Sequence, residues 1–321
     1  VRFKDLCEEL DKVLRFDVGF RGVVDKLYGA ARSLSNAPLV EAAAKLVDEA
    51  GRGRAVIVTG FKVLPRMVQE TDGPPGALVL AKTMTELGLD VYLAIEEDSV
   101  EVLKAGAELL GLRCPTIPLP VNSPLTDHSR KLFESGEPLL LIFVEKAGAN
   151  DVGVYHTMLG VDVSKYHSRA EVLLREARKM CAKVIAIGDG GNEVGFGAIK
   201  EAVRAFVPRG RDCGCPCRGG IAASSEADLV VASSVSNVGC YAVSCALSAL
   251  NRLKWPHDRD MELKLLRAIV DAGAIDGISG EGVTRTDGVP VEVTASIVDL
   301  LSYMTSEYLK RSEGQGNRRE A

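Results

Sequence analysis

Residues 188–193 read Gly-Asp-Gly-Gly-Asn-Glu, three glycines, two carboxylates and an amide in six consecutive positions. Glycines let a ligand approach the backbone, and unpaired N–H groups at a helix start attract carboxylate or phosphate. Asp189 and Glu193 instead attract an ammonium group or a hard metal ion. A turn offering both, through Gly190, Gly191 and Asn192, suits a zwitterion or an anion held through a metal. Three other segments have the same make-up: "QETDGPPGA" with Asp72 and Gly73, "VEKAGAND" with Glu145 and Lys146, and "SVSNVGCYA" with Asn237. His156, in "GVYHTMLG", is either a ligand or a structural histidine. The turn lacks the third glycine of G-x-G-x-x-G, since position 193 is Glu, and no Gly-Lys-Ser/Thr follows; no nucleotide cofactor is expected.

For these segments to meet, the chain must carry them to one edge. Runs rich in Val, Ile and Leu at 54–60, 90–97, 138–148, 183–191 and 227–237 are apolar throughout, as strands covered on both faces are. Helical patterns at 76–88, 100–111, 168–180, 196–206 and 239–253 alternate with them. The alternation predicts an α/β fold: a mostly parallel β-sheet with helices on both faces. The polar segments then fall at the carboxyl ends of the strands, where open α/β sheets bind ligands. A helical N-terminal segment is expected over 1–52, its last helix capped by Asn36 with Pro38 in the first turn. The α/β domain is expected over 53–311, with C-terminal helices at 261–273 and 291–311, and a flexible tail over 312–321.

Composition narrows the partners. Apolar residues make up 46% and charged residues 26% of the 321, ordinary values for a globular protein. A formal charge of −5 gives no basic footprint, so nucleic acid is not expected as partner. No apolar run has the length of a membrane span or the core of a leader, which points to a cytoplasmic protein with no membrane partner. Scarce Gln and Asn beside plentiful Glu, Lys and Arg suggest a thermophilic source. The expected partner is a small amino acid or carboxylate. Of the 8 cysteines, Cys213, Cys215 and Cys217 stand together as C-x-C-x-C. They offer three soft ligands to a metal that needs a fourth, or a disulfide, or neither.

The motifs "TGF", "ETDGPPGA", "VEKAG", "IGDGGNEVGFG", "ADLVVASSVSNVGCYAV" and "IDGISGEGVTRTDG", in that order, resemble the D-glutamate cyclase family, specifically its C-terminal domain in the stand-alone prokaryotic form. The resemblance implies closure of D-glutamate to 5-oxo-D-proline and water. Under it, Asp189 or Glu193 is the base that takes the ammonium proton. Backbone N–H groups of Gly190–Gly191 or Gly73–Ala77 receive the oxyanion. A Mn or Mg ion on Asp189, Asn192 and Glu193 would be the Lewis acid. Asn237 orients a carboxylate, and Asp276 and Asp287 are wall residues. The chain departs from the family in having Lys146 where members usually have Arg and Val238 where they commonly have Trp. An arginine clamps a carboxylate with two parallel hydrogen bonds and a lysine does not, so Lys146 bears on substrate identity. The same residues also admit a metal-dependent phosphoryl-transfer or phosphatase-type enzyme, or a non-catalytic amino-acid sensor.

Overall fold

The computed structural model describes residues 1–121, 123, 125 and 138–316. Its centre is a six-stranded sheet built from β1 (Arg54–Gly60), β4 (Asp90–Glu96), β5 (Thr116–Leu119), β6 (Pro138–Lys146), β7 (Lys183–Gly188) and β8 (Leu229–Ala232). Every pairing is parallel and the order is β5-β4-β1-β6-β7-β8. The first strand is central: the chain winds outward to one side of it, returns, and winds outward on the other. This is the doubly wound arrangement, and the carboxyl ends of β1 and β6 flank its switch point. Two short hairpins, β2 (Lys62–Val63) with β3 (Val68–Gln69) and β9 (Arg285–Thr286) with β10 (Val289–Pro290), sit outside the sheet.

The helices are α1 (Phe3–Leu14), α2 (Val24–Ser33), α3 (Leu39–Glu49), α4 (Pro74–Glu86), α5 (Val100–Leu109), α6 (Glu171–Lys179), α7 (Lys200–Phe206), α8 (Ser236–Leu250), α9 (Arg259–Asp271) and α10 (Val291–Gly316). Helix α8 is buried on every face from Ser236 to Ala249, and α1, α3, α4 and α10 pack around it. Its Gly, Ala, Ser and Cys residues let those neighbours approach closely, as an all-round buried helix requires. The segment 1–52 is part of this body. Leu10, Leu14, Leu27, Val40 and Val47 belong to the same buried apolar cluster as Ile57 and Ile142 of the sheet.

Three local outcomes differ from the sequence reading. Helix α3 takes its cap from Asp11 of α1 instead of Asn36: the Asp11 carboxylate accepts from the N–H groups of Leu39 (2.7 Å) and Val40 (3.1 Å) and from the Tyr28 hydroxyl (2.8 Å). Strand β5 lies outside the apolar runs read as strands; it is an edge strand, where the missing donor of its Pro118 is tolerated. Helix α10 continues to Gly316, so 312–316 is helical, and 317–321 of the expected tail lie outside the described residues. Among the described residues, no helix is long and apolar enough to cross a membrane.

Candidate functional site

The edge of the sheet concentrates polar side chains as the strand order requires. At the end of β6 the register against β1 shifts between Thr59 and Gly60, and Glu145 adopts a left-handed φ of 41°. Such a conformation is costly for a side chain other than glycine and marks a point where the fold over-determines the backbone. At this irregularity Glu145 enters the cavity beyond the switch point, while Lys146 turns away into the protein toward Glu96.

That cavity has a volume of about 310 Å³. Its polar wall is Arg21, Glu70, Glu145, Asp189, Asn192 and Asp287, with Thr157 beside them. Phe61, Val63, Leu64, Met158, Leu159 and Ile278 form the apolar remainder. Arg21 pairs with Asp189, and with Asp287 at 3.2 Å. Its loop, between α1 and α2, is held by Asp17, whose carboxylate accepts from the N–H groups of Arg21 (2.9 Å) and Gly22 (2.6 Å).

One guanidinium faces several buried carboxylates, and their proton affinities respond. Burial first, then the neighbouring carboxylates, push Glu70, Glu145 and Asp287 well above the usual carboxylate range. Burial also raises Asp189, but the Arg21 charge opposes it and leaves the group at about 6. Asp72, raised by burial and by Asp287 against three backbone hydrogen bonds, sits at about 7. Burial works against the charge on Arg21 itself, yet Asp189 and Asp287 outweigh it and hold the guanidinium protonated. Oxygens of Asp72, Asp189 and Asp287 lie within 4.8 Å of one another, as do those of Glu145, Asp189 and Glu193.

The glycine turn is occupied by the chain itself. The Glu193 carboxylate accepts from the N–H groups of Asp189 (2.8 Å), Gly190 (2.6 Å) and Gly191 (2.6 Å). Successive N–H groups converging in this way form an anion nest, and Glu193 is its anion. Gly191 has φ +89°, and an added Cβ would stand 2.4 Å from Val203 Cγ2, so the turn admits no side chain there. The donors expected at Gly190 and Gly191 are thus engaged before any ligand arrives, and Glu193 is an anchor buried outside the cavity wall.

The loop ahead of α4 behaves alike. The Asp72 carboxylate accepts from the N–H groups of Ser236 (2.8 Å), Asn237 (2.9 Å) and Gly73 (3.0 Å), which places a carboxylate at the N-terminus of α8. Asn237 Oδ1 answers by accepting from Gly73 N–H (3.0 Å) and Gly76 N–H (2.8 Å), and its amide donates to Thr71 O. Pro74 and Pro75 have no N–H, and Ala77 N–H donates to Gly73 O. No donor of 73–77 is left for an oxyanion. Asp72, Gly73 and Asn237 lock two loops together; they do not line the cavity.

Lys146 is fully buried and paired with Glu96, which also accepts from the Ser168 N–H (3.0 Å) and hydroxyl (2.8 Å). Burial lowers Lys146; burial would raise Glu96, but Lys146 and His167 outweigh it and hold that carboxyl below its usual range. Lys146 therefore does not replace an arginine in the cavity. His156 lies beside Cys215 and Cys217, and its carbonyl accepts from the Asn192 side chain (2.9 Å). Asp276 closes a turn by accepting from Ser279 and Gly288 N–H groups, whereas Asp287 reaches the cavity. Of the residues singled out in the sequence, Glu145, Asp189, Asn192 and Asp287 meet there. Arg21 and Glu70 were missed. Glu70 stood within the quoted "QETDGPPGA"; Arg21, remote in sequence and in the helical segment, had no motif to betray it.

A doubly wound α/β protein with buried carboxylates gathered around one arginine at its switch point is the class that fold and site define. The sequence pattern described as D-glutamate cyclase-like, C-terminal matches residues 10–302, and the chain belongs to that family. It is 28% identical to the human protein named D-glutamate cyclase, mitochondrial; the match covers 91% of this chain and 51% of the human one, so the chain spans about half the length of that relative. Among solved structures, the exonuclease RecJ bound to manganese aligns with a TM-score of 0.39 at 13% identity, over 89% of this chain and 68% of the other. RecJ from Thermus thermophilus in complex with Mn2+ aligns with a TM-score of 0.35 at 14% identity, over 98% of this chain and 44% of the other. Neither likeness bears on the chemistry of this chain.

Proposed function

We propose that this chain closes D-glutamate, or an amino acid carrying the same groups, to its lactam. The α-amine attacks the γ-carboxylate, and the two protons lost by the ammonium leave with one carboxylate oxygen as water. The observation that carries the reading, beside the family, is a cavity in which one guanidinium faces carboxylates of separated proton affinity. Asp189, at about 6, is mostly ionised at neutral pH and takes the ammonium proton. Glu145, held well above its usual range by burial and its neighbours, keeps its proton and delivers it to the departing oxygen. The two carboxylates lie within 4.8 Å of each other, close enough to act on one reacting centre.

Arg21 supplies the positive charge for a substrate carboxylate and for the oxyanion, a task the glycine turn is not free to perform. Thr157, whose hydroxyl accepts from Val161 N–H, lines the same space and offers a neutral polar group to the substrate. Carboxylates in excess of cations also fit a hard divalent ion, for which Asp189 and Asp287 of the cavity wall belong to a close carboxylate cluster; Mn²⁺ or Mg²⁺ held there would supply a Lewis acid for the γ-carboxylate. A phosphate substrate is less well served, since the backbone donors that would cradle it are engaged by Glu193 and Asn237. The test is incubation with D-glutamate and L-glutamate in separate tubes, with and without Mn²⁺ or Mg²⁺, followed by chiral chromatography. Formation of 5-oxoproline from one enantiomer is expected; unchanged glutamate in every tube removes the reading.

A further inference from the structure

The three clustered cysteines do not stand alone. Cys213 Sγ lies 3.1 Å from Cys215 Sγ and 3.4 Å from Cys217 Sγ. His156 Nε2, from a loop some sixty residues earlier, lies 3.3 Å from Cys215 Sγ and 3.4 Å from Cys217 Sγ. We propose that His156, Cys213, Cys215 and Cys217 form a structural zinc site that clamps the loop walling the cavity. Zinc with thiolates at ~2.3 Å and imidazole at ~2.0 Å makes a tetrahedron with edges of about 3.5–3.8 Å. The four observed edges are shorter by about 0.1–0.7 Å, most at Cys213–Cys215, a contraction that an ion at the centre reverses. They are far too long for a disulfide, which needs about 2.05 Å.

The surroundings suit thiolates. Cys215 Sγ accepts from Cys217 N–H (3.4 Å), and Cys217 Sγ accepts from Gly219 N–H (3.4 Å) and the Asn150 side-chain amide (3.6 Å). Donors aimed at the sulfurs stabilise their negative charge and fix their orientation, the usual outer layer of a thiolate metal site. Three sulfurs and one imidazole, with no fifth His, Cys, Asp or Glu ligand among the described residues, form a closed set, which indicates a structural ion and not a catalytic one.

The clamp has a purpose in the fold. Between Phe206 and Leu229 the chain has neither helix nor strand, a length that needs fastening in a compact domain. The site ties this stretch to the loop carrying Thr157, Met158 and Leu159 of the cavity wall. The two loops meet backbone to backbone, since a Cβ on Gly160 would fall 2.0 Å from Cys213 O. His156 O, in turn, receives the Asn192 amide, which links the clamp to the glycine turn.

The experiment is metal analysis of the whole chain purified without added metal, then exchange with Co²⁺. One zinc ion per chain is expected, and the cobalt form should show a thiolate-to-cobalt charge-transfer band and intense visible bands of a tetrahedral site. Cys215→Ser and His156→Ala should lose most of the metal, while His156→Cys should retain it with an altered cobalt spectrum. The wild-type cobalt spectrum reads thiolate ligation even where a variant fails to fold. Three results overturn the proposal: no zinc with all three thiols freely titratable in the native protein; two thiols missing from unreduced, denatured protein, which means a disulfide; or zinc content unchanged by Cys215→Ser and His156→Ala, which places the ion elsewhere.

Discussion

Glu193→Gln separates an anchor from a base. The wild-type carboxylate receives three backbone N–H groups at 2.6–2.8 Å in a fully buried turn. Glutamine keeps one oxygen, which can still receive Asp189 and Gly190 N–H. Its amide nitrogen then meets Gly191 N–H donor to donor. A buried donor without an acceptor costs about 1–3 kcal/mol, and loss of charge assistance adds to it, so destabilisation of about 2–4 kcal/mol is expected. At about 2.1 cal/mol/K per residue, a chain of 321 residues unfolds with an entropy of ~0.7 kcal/mol/K, which converts this to a fall in Tm of about 3–6 °C. Calorimetry or circular dichroism melting measures it. Glu193→Asp, one methylene shorter, should fall at least as far although it keeps the charge. If Glu193→Gln melts within a degree of wild type and yet abolishes turnover, Glu193 is a catalytic base and the nest reading is wrong.

Lys146→Met leaves Glu96 buried without its partner and should cost about 3–5 kcal/mol, with most of the loss recovered when Glu96→Gln is added; urea denaturation of the single and double variants decides it. Arg21→Met should stay folded but lose about 10- to 100-fold in kcat/KM for glutamate, with the acidic limb of the pH–rate profile moved upward because Asp189 has lost the cation that opposes its burial. In metal-free protein, Asp72 and Asp189 bind protons more tightly folded than unfolded, so their stabilising contribution is complete below the ordinary carboxylate value and is lost as pH rises through about 6 and about 7. Glu96 has the opposite sign and withdraws its contribution in acid. The urea midpoint should therefore peak near pH ~4, around the ordinary carboxylate values, and fall toward pH ~7; a midpoint that climbs steadily over that interval contradicts the assigned shifts.

The α/β architecture could be read from the unbroken apolar runs, because a parallel sheet buries both faces of its strands and leaves no alternation to confuse with an amphipathic pattern. The gathering of polar segments at one edge of the sheet followed from the same pattern, since they stood at strand ends. What individual polar residues do there was not legible. Composition shows that Gly190, Gly191 and Glu193 share a turn, but not that the carboxylate three residues on folds back to fill the nest its neighbours create. Whether Glu145 or Lys146 enters the cavity depends on the bulge at the end of β6, a single-residue event that periodicity does not resolve. Arg21 and His156 reach their partners across long sequence separations, and only packing brings such pairs together.

The most direct test of the active-site assignment is real-time proton NMR of D-glutamate with the wild-type chain and with Asp189→Asn, the two proteins first shown to have similar melting curves. Signals of 5-oxo-D-proline should grow in the first tube and stay absent from the second. Equal rates in both tubes would contradict the assignment of Asp189 as base, and silence in both would contradict the cyclase reading itself.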